Sequence, residues 1–468
     1  MASLATAITS LIESKKYGTL RDILVTMNAA DIAALFEDLE PEMLPRLFRL
    51  LPKELAADTF VEMDSEEQEL LIKGFSDSEL KEVIDELYID DAVDIVEEMP
   101  ANVVKRILAQ TDPDTRKLIN ELLKYPDDSA GSMMTTEYVE LRPNWTVEDA
   151  IKTIRRTGID KETINICYVT RTDRTLLGFV TIRRLILSQP DVLIGDLAET
   201  TNVICCKTLD DQETVAQMLS KYDLLALPVV DGENRLVGIV TVDDAIDVLQ
   251  EEATEDIEKM AAITPSDKPY LKTGVLSLYV HRIPWLAILM ISAIFTELVL
   301  THFEDLMKIQ YIACISTMLT ACIPMLMDTG GNAGNQASVT IIRGLSLGEI
   351  EFRDLPRVIW KELRISLLVG ASLAVINFGK MMLMYAVTYH NNFDNQLSTF
   401  LLVAVTVSIA LMCAVFLAKF IGCTLPILAK KIGFDPAVMA GPFITTIVDV
   451  SSLLMLFGLA LLIIPHIV

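Results

Sequence analysis

The chain has 468 residues, with 65 Asp and Glu against 39 Lys and Arg, a formal charge of −26 and 51% hydrophobic residues. So acidic a balance argues against nucleic acid or anionic lipid as a partner of the charged part, and five long apolar runs exclude a wholly water-soluble protein. All of the excess charge lies in residues 1–276, which hold 54 Asp and Glu against 28 Lys and Arg, whereas residues 277–468 hold 11 of each.

The first 25 residues lack a basic head followed by a continuous apolar core, so no signal peptide is read and the N-terminus is expected in the cytoplasm. Seven cysteines occur without a C-x-x-C spacing, which reads as packing rather than zinc or redox chemistry. The four histidines (His281, His302, His390, His466) fall in the apolar half. The acidic half is left with carboxylates as its anionic ligands, and oxygen-only ligation suits hard ions such as Mg²⁺ and Ca²⁺.

Residues 1–132 read as an acidic α-superhelix. In steps of twelve the chain shows Leu35-Phe36-x-x-Leu39, Leu47-Phe48-x-x-Leu51, Thr59-Phe60-x-x-Met63, Leu71-Ile72-x-x-Phe75, Val83-Ile84-x-x-Leu87 and Ile95-Val96-x-x-Met99, with weaker copies at Ile107 and Ile119. Apolar residues at i, i+1 and i+4 mark one helix face. Pro41, Pro52, Asp64, Pro100 and Pro113 are expected to stop each helix after about two turns, so the helices must stack to bury that face. The run Asp90, Asp91, Asp94, Glu97, Glu98 reads either as a solvated face or as a metal-responsive surface, because charges this dense repel unless a cation sits among them.

Residues 133–250 contain a tandem repeat. Leu177-Gly178-Phe179-Val180-Thr181 matches Val237-Gly238-Ile239-Val240-Thr241 at an offset of 60, each after a strand (ICYVT, ALPVV) and before a helix. Upstream, Val147 is matched to Val215, which implies an eight-residue insertion in the first copy near TGIDKETI. The pattern resembles a pair of CBS modules, regulatory units that often bind adenosine nucleotides. Their ribose-and-phosphate motif, Thr or Ser followed three residues later by Asp, is present as Thr241 and Asp244; the first copy has Thr181 and Arg184. At most one adenosine (ATP) site is implied, the alternative being a pair that only packs and dimerises.

Residues 251–276 are read as a connecting helix that continues the last CBS element and ends near Thr264-Pro265 and Lys268-Pro269. Asp244, Asp247, Glu251, Glu255 and Glu258 fall on one stripe at helical spacing, and like charges so placed repel unless counter-ions are present.

Residues 277–468 are read as five spans, at about 283–301, 309–341, 362–387, 397–422 and 437–465. With the N-terminus inside, the cytoplasmic loops carry Arg343, Arg353, Arg357, Lys361, Arg364, Lys419, Lys430 and Lys431, and the outer side only Lys308 and Lys380. That satisfies the positive-inside rule and places the C-terminus outside. The second run ends in Asp328-Thr329-Gly330-Gly331-Asn332-Ala333-Gly334-Asn335-Gln336, which reads either as packing glycines or as irregular backbone lining water, with Asp328 capping a helix break. The fifth run carries Asp449, placed about 12 residues in. An ionised Asp near mid-bilayer costs on the order of 3 kcal/mol or more unless it faces water or a cation, so Asp449 is the first candidate for the ion path, ahead of Glu297 and Asp328.

Residues 324–348 (PMLMDTGGNAGNQASVTIIRGLSLG) and 441–449 (GPFITTIVD) resemble the MgtE family of magnesium channels, and the order of parts matches over essentially the whole chain. The fold expected is a multidomain membrane protein with an α-superhelical N domain, an α/β tandem CBS domain and an all-α five-helix transmembrane domain. The resemblance implies a homodimer in the cell membrane with a pore between subunits. Asp449 would be its Mg²⁺-selective carboxylate, with Asn332, Gly441 and Thr446 beside it. It also implies that cytoplasmic Mg²⁺ bound among Asp91, Asp94, Asp244, Asp247, Glu255 and Glu258 shuts the channel, with ATP at Thr241 and Asp244 as a modulator. No hydrolase constellation or P-loop is visible, so no enzyme is expected. The alternatives are an ion-coupled secondary transporter, a CBS-regulated anion channel, which the acidic intramembrane charge disfavours, and a signalling protein with a membrane anchor.

Overall fold

The computed structural model describes residues 2–266, 270–310, 313–388, 397–439 and 441–464. It divides into two compact units, Met1–Gln250 and Glu251–Val468. Lys268, Pro269, His390 and His466, named in the reading above, lie outside the described residues.

The first unit opens with α1 (Ala2–Glu13) and α2 (Tyr17–Leu24), which the twelve-residue pattern did not reach. Then α3 to α10 span Ala29–Glu37, Leu44–Phe48, Lys53–Val61, Ser65–Gly74, Asp77–Ile84, Ile89–Glu98, Ala101–Gln110 and Pro113–Leu122. From α5 onward each helix starts twelve residues after the last, and the pairs Leu35-Phe36, Thr59-Phe60, Leu71-Ile72, Val83-Ile84 and Ile95-Val96 are buried as the repeat requires. Alternate helices touch, α3 with α5, α5 with α7 and α7 with α9, which is the packing of a short-helix superhelix. Phe48, Phe60 and Phe75 meet with ring centroids 5.3–6.4 Å apart in its core. The breakers act as starts as much as stops. Pro52, Asp64 and Pro100 stand at N-cap positions and Pro113 is the first residue of α10, where a missing N–H costs nothing.

The CBS pair comprises β1 (Val139–Leu141), α11 (Val147–Thr157), β2 (Ile166–Thr170), β3 (Leu176–Thr181), α12 (Ile182–Leu187) and α13 (Ile194–Leu197). Its second copy comprises β4 (Cys206–Lys207), α14 (Gln212–Tyr222), β5 (Ala226–Val230), β6 (Leu236–Thr241) and the start of α15 (Val242–Met260). Each sheet has a parallel pair followed by an antiparallel one, β1-β2-β3 and β4-β5-β6. The helices correct the offset read from sequence. Thr146 caps α11 through Asp149 N–H and Asp211 caps α14 through Glu213 and Thr214 N–H, so the copies align at 65 upstream of the strands and the insertion is five residues, not eight. Buried Ala150, rather than Val147, is thus the partner of buried Val215. The strand glycines have a physical cause: a Cβ at Gly178 would lie 2.2 Å from Glu199 O and one at Gly238 2.7 Å from Thr135 O, because the lead segment of each copy crosses the other copy's strand there.

The second unit holds the end of α15 and five long helices, α16 (Val275–Gln310), α17 (Ala313–Ser346), α18 (Leu355–Thr388), α19 (Leu397–Ile432) and α20 (Pro442–Ile463). Among the described residues, Val275–Asp305, Phe352–Val387, Leu397–Ile432 and Ala437–Ile463 are long and apolar enough to cross a membrane. The helices run past the apolar runs at their ends. Pro284 sits inside α16, and Arg343, Arg357, Lys361, Arg364, Lys430 and Lys431 are helical rather than in loops. Lys419 is a clearer correction. It lies within α19, its side chain 6% exposed, 3.4 Å from Glu362 of α18, so it is a buried ion-pair partner and not a loop charge.

α17 is unbroken through its glycines, so Asp328 caps no break. Those glycines seat α17 on α20 and α19. At the tightest point a Cβ on Gly422 would fall 2.3 Å from Gly334 O, a distance no side chain can occupy. Gly422→Ala is therefore expected to push α19 off α17 and lower the melting temperature of the solubilised protein by several degrees, as a core overpacking cost of about 1–3 kcal/mol requires. Gly379→Ala, at a position with open space, is the matched control.

Candidate functional site

Two groups of residues with chemical potential emerge, one in each unit. In the membrane unit Asp449 is the eighth residue of α20, only seven beyond Pro442, because the helix starts later than the apolar run. By helix rise it stands about 10 Å in, not the ~18 Å read from sequence. It is half-buried, and among the described residues no lysine or arginine pairs with it; Asp328 of α17 is the charge that bears on it. Both threonine hydroxyls one turn earlier, Thr445 and Thr446, donate to Pro442 O at 2.9 Å, which leaves their oxygen lone pairs as acceptors for a cation or its water.

The packed and polar faces of α17 separate cleanly. Gly330, Gly331 and Gly334 face Thr445, Val448, Ser452 and Ile444 of α20. Asp328, Asn332, Gln336 and Thr340, four apart, form a stripe exposed on this chain, with Asn332 Nδ2 donating to Asp328 Oδ1 at 3.2 Å. Of the residues proposed beside the path, Asn332 lies on this stripe and Thr446 on α20. Gly441 sits just before α20 at a φ of 44°, its carbonyl accepting from Thr445 N–H.

In the first unit Asp90, Asp91 and Asp94 project from α8, an amphipathic helix whose other face buries Ile89, Val93 and Val96. They gather with Asp244 on the first turn of α15 and with Glu162, which the inserted loop of the first CBS copy supplies. Glu137 joins them, accepting from Ile89 N–H at 3.2 Å. Burial, then the neighbouring carboxylates, push Asp90 well above the usual range, Asp91 to about 7 and Glu162 to about 8. Burial, then Asp244 and Asp91, raise Asp94 to about 7 likewise, although its side chain reaches solvent, which screens the effect. Asp90 is 7% exposed with Oδ1 lacking any hydrogen-bond partner, and Glu162 Oε2 is similarly orphaned. Asp247 is more exposed and is raised mainly by burial and then by Asp243.

This cluster is chemically incomplete. Among the described residues no lysine or arginine is paired with Asp90, Asp91, Asp94, Glu162 or Asp244, and no three His, Cys, Asp or Glu side chains are drawn together tightly enough to form a ready cage. The donor set is all oxygen, which fits a hydrated Mg²⁺ bridged through its waters better than a dehydrated ion. Glu137 and Glu162 escaped the sequence reading, and Asp90, named there within the acidic run, was not carried into the candidate ligand set. The heavy local charge of IDDAVDIVEE was visible, but Glu137 and Glu162 are 46 and 71 residues beyond Asp91 and only the fold brings them in.

A pH dependence follows. Carboxylates whose folded pKa lies above the ordinary value favour the folded state at low pH, and that contribution is lost as pH rises from about 4 through about 7–8. The metal-free soluble unit is expected to melt several degrees lower at pH 8 than at pH 6, with Mg²⁺ abolishing most of the difference. A flat melting profile over this range in a chelating buffer would remove the mutual repulsion from the account.

The CBS motif is formed in the second copy: Thr241 Oγ1 donates to Asp244 Oδ2 at 2.5 Å, with Thr241 5% exposed. In the first copy Arg184 takes the Asp position and pairs with Glu199 at 3.1 Å, so no carboxylate is offered to a ribose there. On α15 beyond residue 250, Glu255 bonds Lys259 at 2.5 Å, and Glu258 accepts from Ser266 N–H at 3.2 Å.

Comparison with known proteins gives a consistent result. Residues 323–459 match the family model for the MgtE divalent cation transporter, 27–128 that of the MgtE intracellular N domain, and 130–190 and 194–251 that of the CBS domain. The chain is 36% identical over 461 residues to the magnesium transporter MgtE of Thermus thermophilus, covering 98% of each, and 32% identical over 454 residues to that of Bacillus subtilis, covering 96% and 95%. Among solved structures, the cytosolic domain of the Mg²⁺ channel MgtE in complex with ATP is 35% identical with a TM-score of 0.50, and covers 52% of this chain and 99% of its own. The soluble part of a magnesium transporter matches at 30% identity with the same score, covering 54% and 99%.

Proposed function

Since the chain belongs to the MgtE family of magnesium transporters, not to an enzyme family, we propose that it is a channel through which Mg²⁺ enters passively along α17 and α20 and which cytoplasmic Mg²⁺ closes. The observation that carries the reading is Asp449, a carboxylate within a membrane helix with no basic partner among the described residues, beside an α17 stripe of Asp, Asn, Gln and Thr that lipid cannot solvate. A homodimer would set two copies of Asp449 and two stripes around one axis, a wide polar path suited to an ion that keeps most of its waters. Inward flow needs no ATP hydrolysis, because two charges crossing 100 mV gain about 4.6 kcal/mol.

Closure rests on the carboxylates. Abundant Mg²⁺ neutralises Asp91, Asp94 and Asp244, with Asp90, Glu137 and Glu162, and holds the N domain on the CBS pair; scarcity leaves them to repel, and the channel opens. Asp247 and Glu258 of the connecting helix contribute to the same response, whereas Glu255 is engaged by Lys259. ATP at Thr241 and Asp244 tunes it, because the carboxylate that would accept from a ribose also faces Asp91 and Asp94. The N-terminus lies in the cytoplasm and the C-terminus outside. Single-channel recording from purified protein in planar bilayers tests the proposal. Unitary Mg²⁺ currents that fall silent as Mg²⁺ rises on the cytoplasmic face are expected, whereas flux without unitary steps and dependent on a Na⁺ or H⁺ gradient would make it a coupled carrier.

A further inference from the structure

The C-terminal end of α15 is fastened to the membrane unit by the chain's own groups. Lys259 Nζ lies 2.5 Å from Glu255 Oε1 and 2.7 Å from Asp435 Oδ2, on the segment that joins α19 to α20. Asp435 is fixed for this task, since its other oxygen accepts from Ala437 N–H at 2.8 Å. One turn earlier on the same face, Asp256 Oδ2 accepts from Ser346 Oγ of α17 at 3.0 Å. Met260 packs on Ile342 and Ala437, and its carbonyl lies where a Cβ of residue 441 would stand, 2.4 Å away, so only glycine fits directly before α20. After the helix, Thr264 N–H donates to His281 O of α16 at 3.0 Å.

The electrostatics favour the arrangement. Burial opposes the ammonium, yet the bonds to Asp435 and Glu255 outweigh it and hold Lys259 above the usual lysine range. A cation in the last turn also suits the helix dipole. Without Lys259, Glu255, Asp256 and Asp435 would face one another as a cluster of carboxylates.

We propose that Lys259 is a tethered cation that latches the end of the connecting helix onto α17 and the α19–α20 segment in the absence of Mg²⁺, and thereby positions the start of α20. The consequence for ion flow rests on the reading of α20 as part of the Mg²⁺ path; the latch itself does not. In this view Glu255 is committed to lysine, and Mg²⁺ regulation acts on carboxylates elsewhere.

Hydrogen exchange of the full chain in nanodiscs tests it. Amides of residues 255–264 are expected to exchange at rates within twofold of each other with chelator and with 10 mM Mg²⁺. Lys259→Met should speed their exchange at least tenfold in chelator, with Mg²⁺ restoring much of the protection by standing in for the lost ammonium. Asp435→Asn should speed it to a similar extent, and Lys259→Arg should keep the wild-type pattern. Wild-type protection that appears only with Mg²⁺, or a Lys259→Met protein that exchanges like wild type in chelator, would overturn the proposal. So would an effect of Lys259→Met that Asp435→Asn fails to reproduce. Mg²⁺ uptake by the same preparations separates the two readings: wild-type uptake insensitive to internal Mg²⁺ would count against closure by Mg²⁺ while leaving the exchange result to decide the latch.

Discussion

Asp449→Ala is expected to lower the initial rate of Mg²⁺ uptake into proteoliposomes by about a hundredfold or more, and Asp449→Asn by nearly as much. A divalent ion about 5 Å from one carboxylate, at an effective dielectric near 20, is attracted by roughly 7 kcal/mol, and a hundredfold loss of rate needs only about 2.7 kcal/mol of it. The neutral amide keeps the shape and the hydrogen-bonding reach of the side chain, so an equal loss in both variants identifies charge as the cause. Misfolding is separable. Asp449 has no basic partner among the described residues and the core contacts of α20 come from Ile444, Val448, Leu453 and Leu456, so the melting temperature should stay near wild type. Uptake retained within a few-fold in Asp449→Asn would sink the assignment of α20 to the ion path.

The second large effect belongs to the cytosolic cluster. With Asp91, Asp94 and Asp244 all replaced by Asn, uptake should persist at internal Mg²⁺ that silences wild type, with the half-inhibiting concentration raised at least tenfold. The same triple variant should be more stable than wild type when metal is removed, because the repulsion that burial intensifies around Asp90, Asp91 and Glu162 is relieved. Its melting temperature should in turn respond little to Mg²⁺. The pairing of higher metal-free stability with weaker metal response is what distinguishes a sensor from a set of ordinary structural contacts. A triple variant that melts lower without metal and still closes normally would show that these carboxylates hold the unit together by another route.

Much of this was legible in the order of residues because several periodicities are short-range. The twelve-residue step of the N domain repeats its buried pairs, and the 60-residue offset repeats β2-turn-β3 as β5-turn-β6, since each pattern reflects one face meeting one neighbour. What the pattern could not supply were register and distance. Helix α14 begins where Asp211 can cap it, a local hydrogen bond that shifted the alignment of the copies by three residues relative to hydropathy. Lys419 looked like a loop charge beside Lys430 and Lys431, until Glu362, 57 residues earlier, was found across the α18–α19 contact. Glu255 and Lys259 were spaced for an i,i+4 pair, yet the third member, Asp435, lies 176 residues away. The glycines of α17 read equally well as packing or as irregular backbone, and only the closeness of Gly334 to Gly422 decides for packing.

The exposed stripe of Asp328, Asn332, Gln336 and Thr340 also bears on how the protein is made. A subunit released into the bilayer alone presents these groups to hydrocarbon, where each amide or carboxylate lacks the partners that water would provide. Any neighbour that covers them gains free energy without any apolar attraction, so the stripe supplies a drive to assembly that the lipid-like α16 and α18 cannot. On the proposed reading, the same polar face that would serve ions in an assembled protein is an energetic defect in a lone subunit, removed only when a partner covers it.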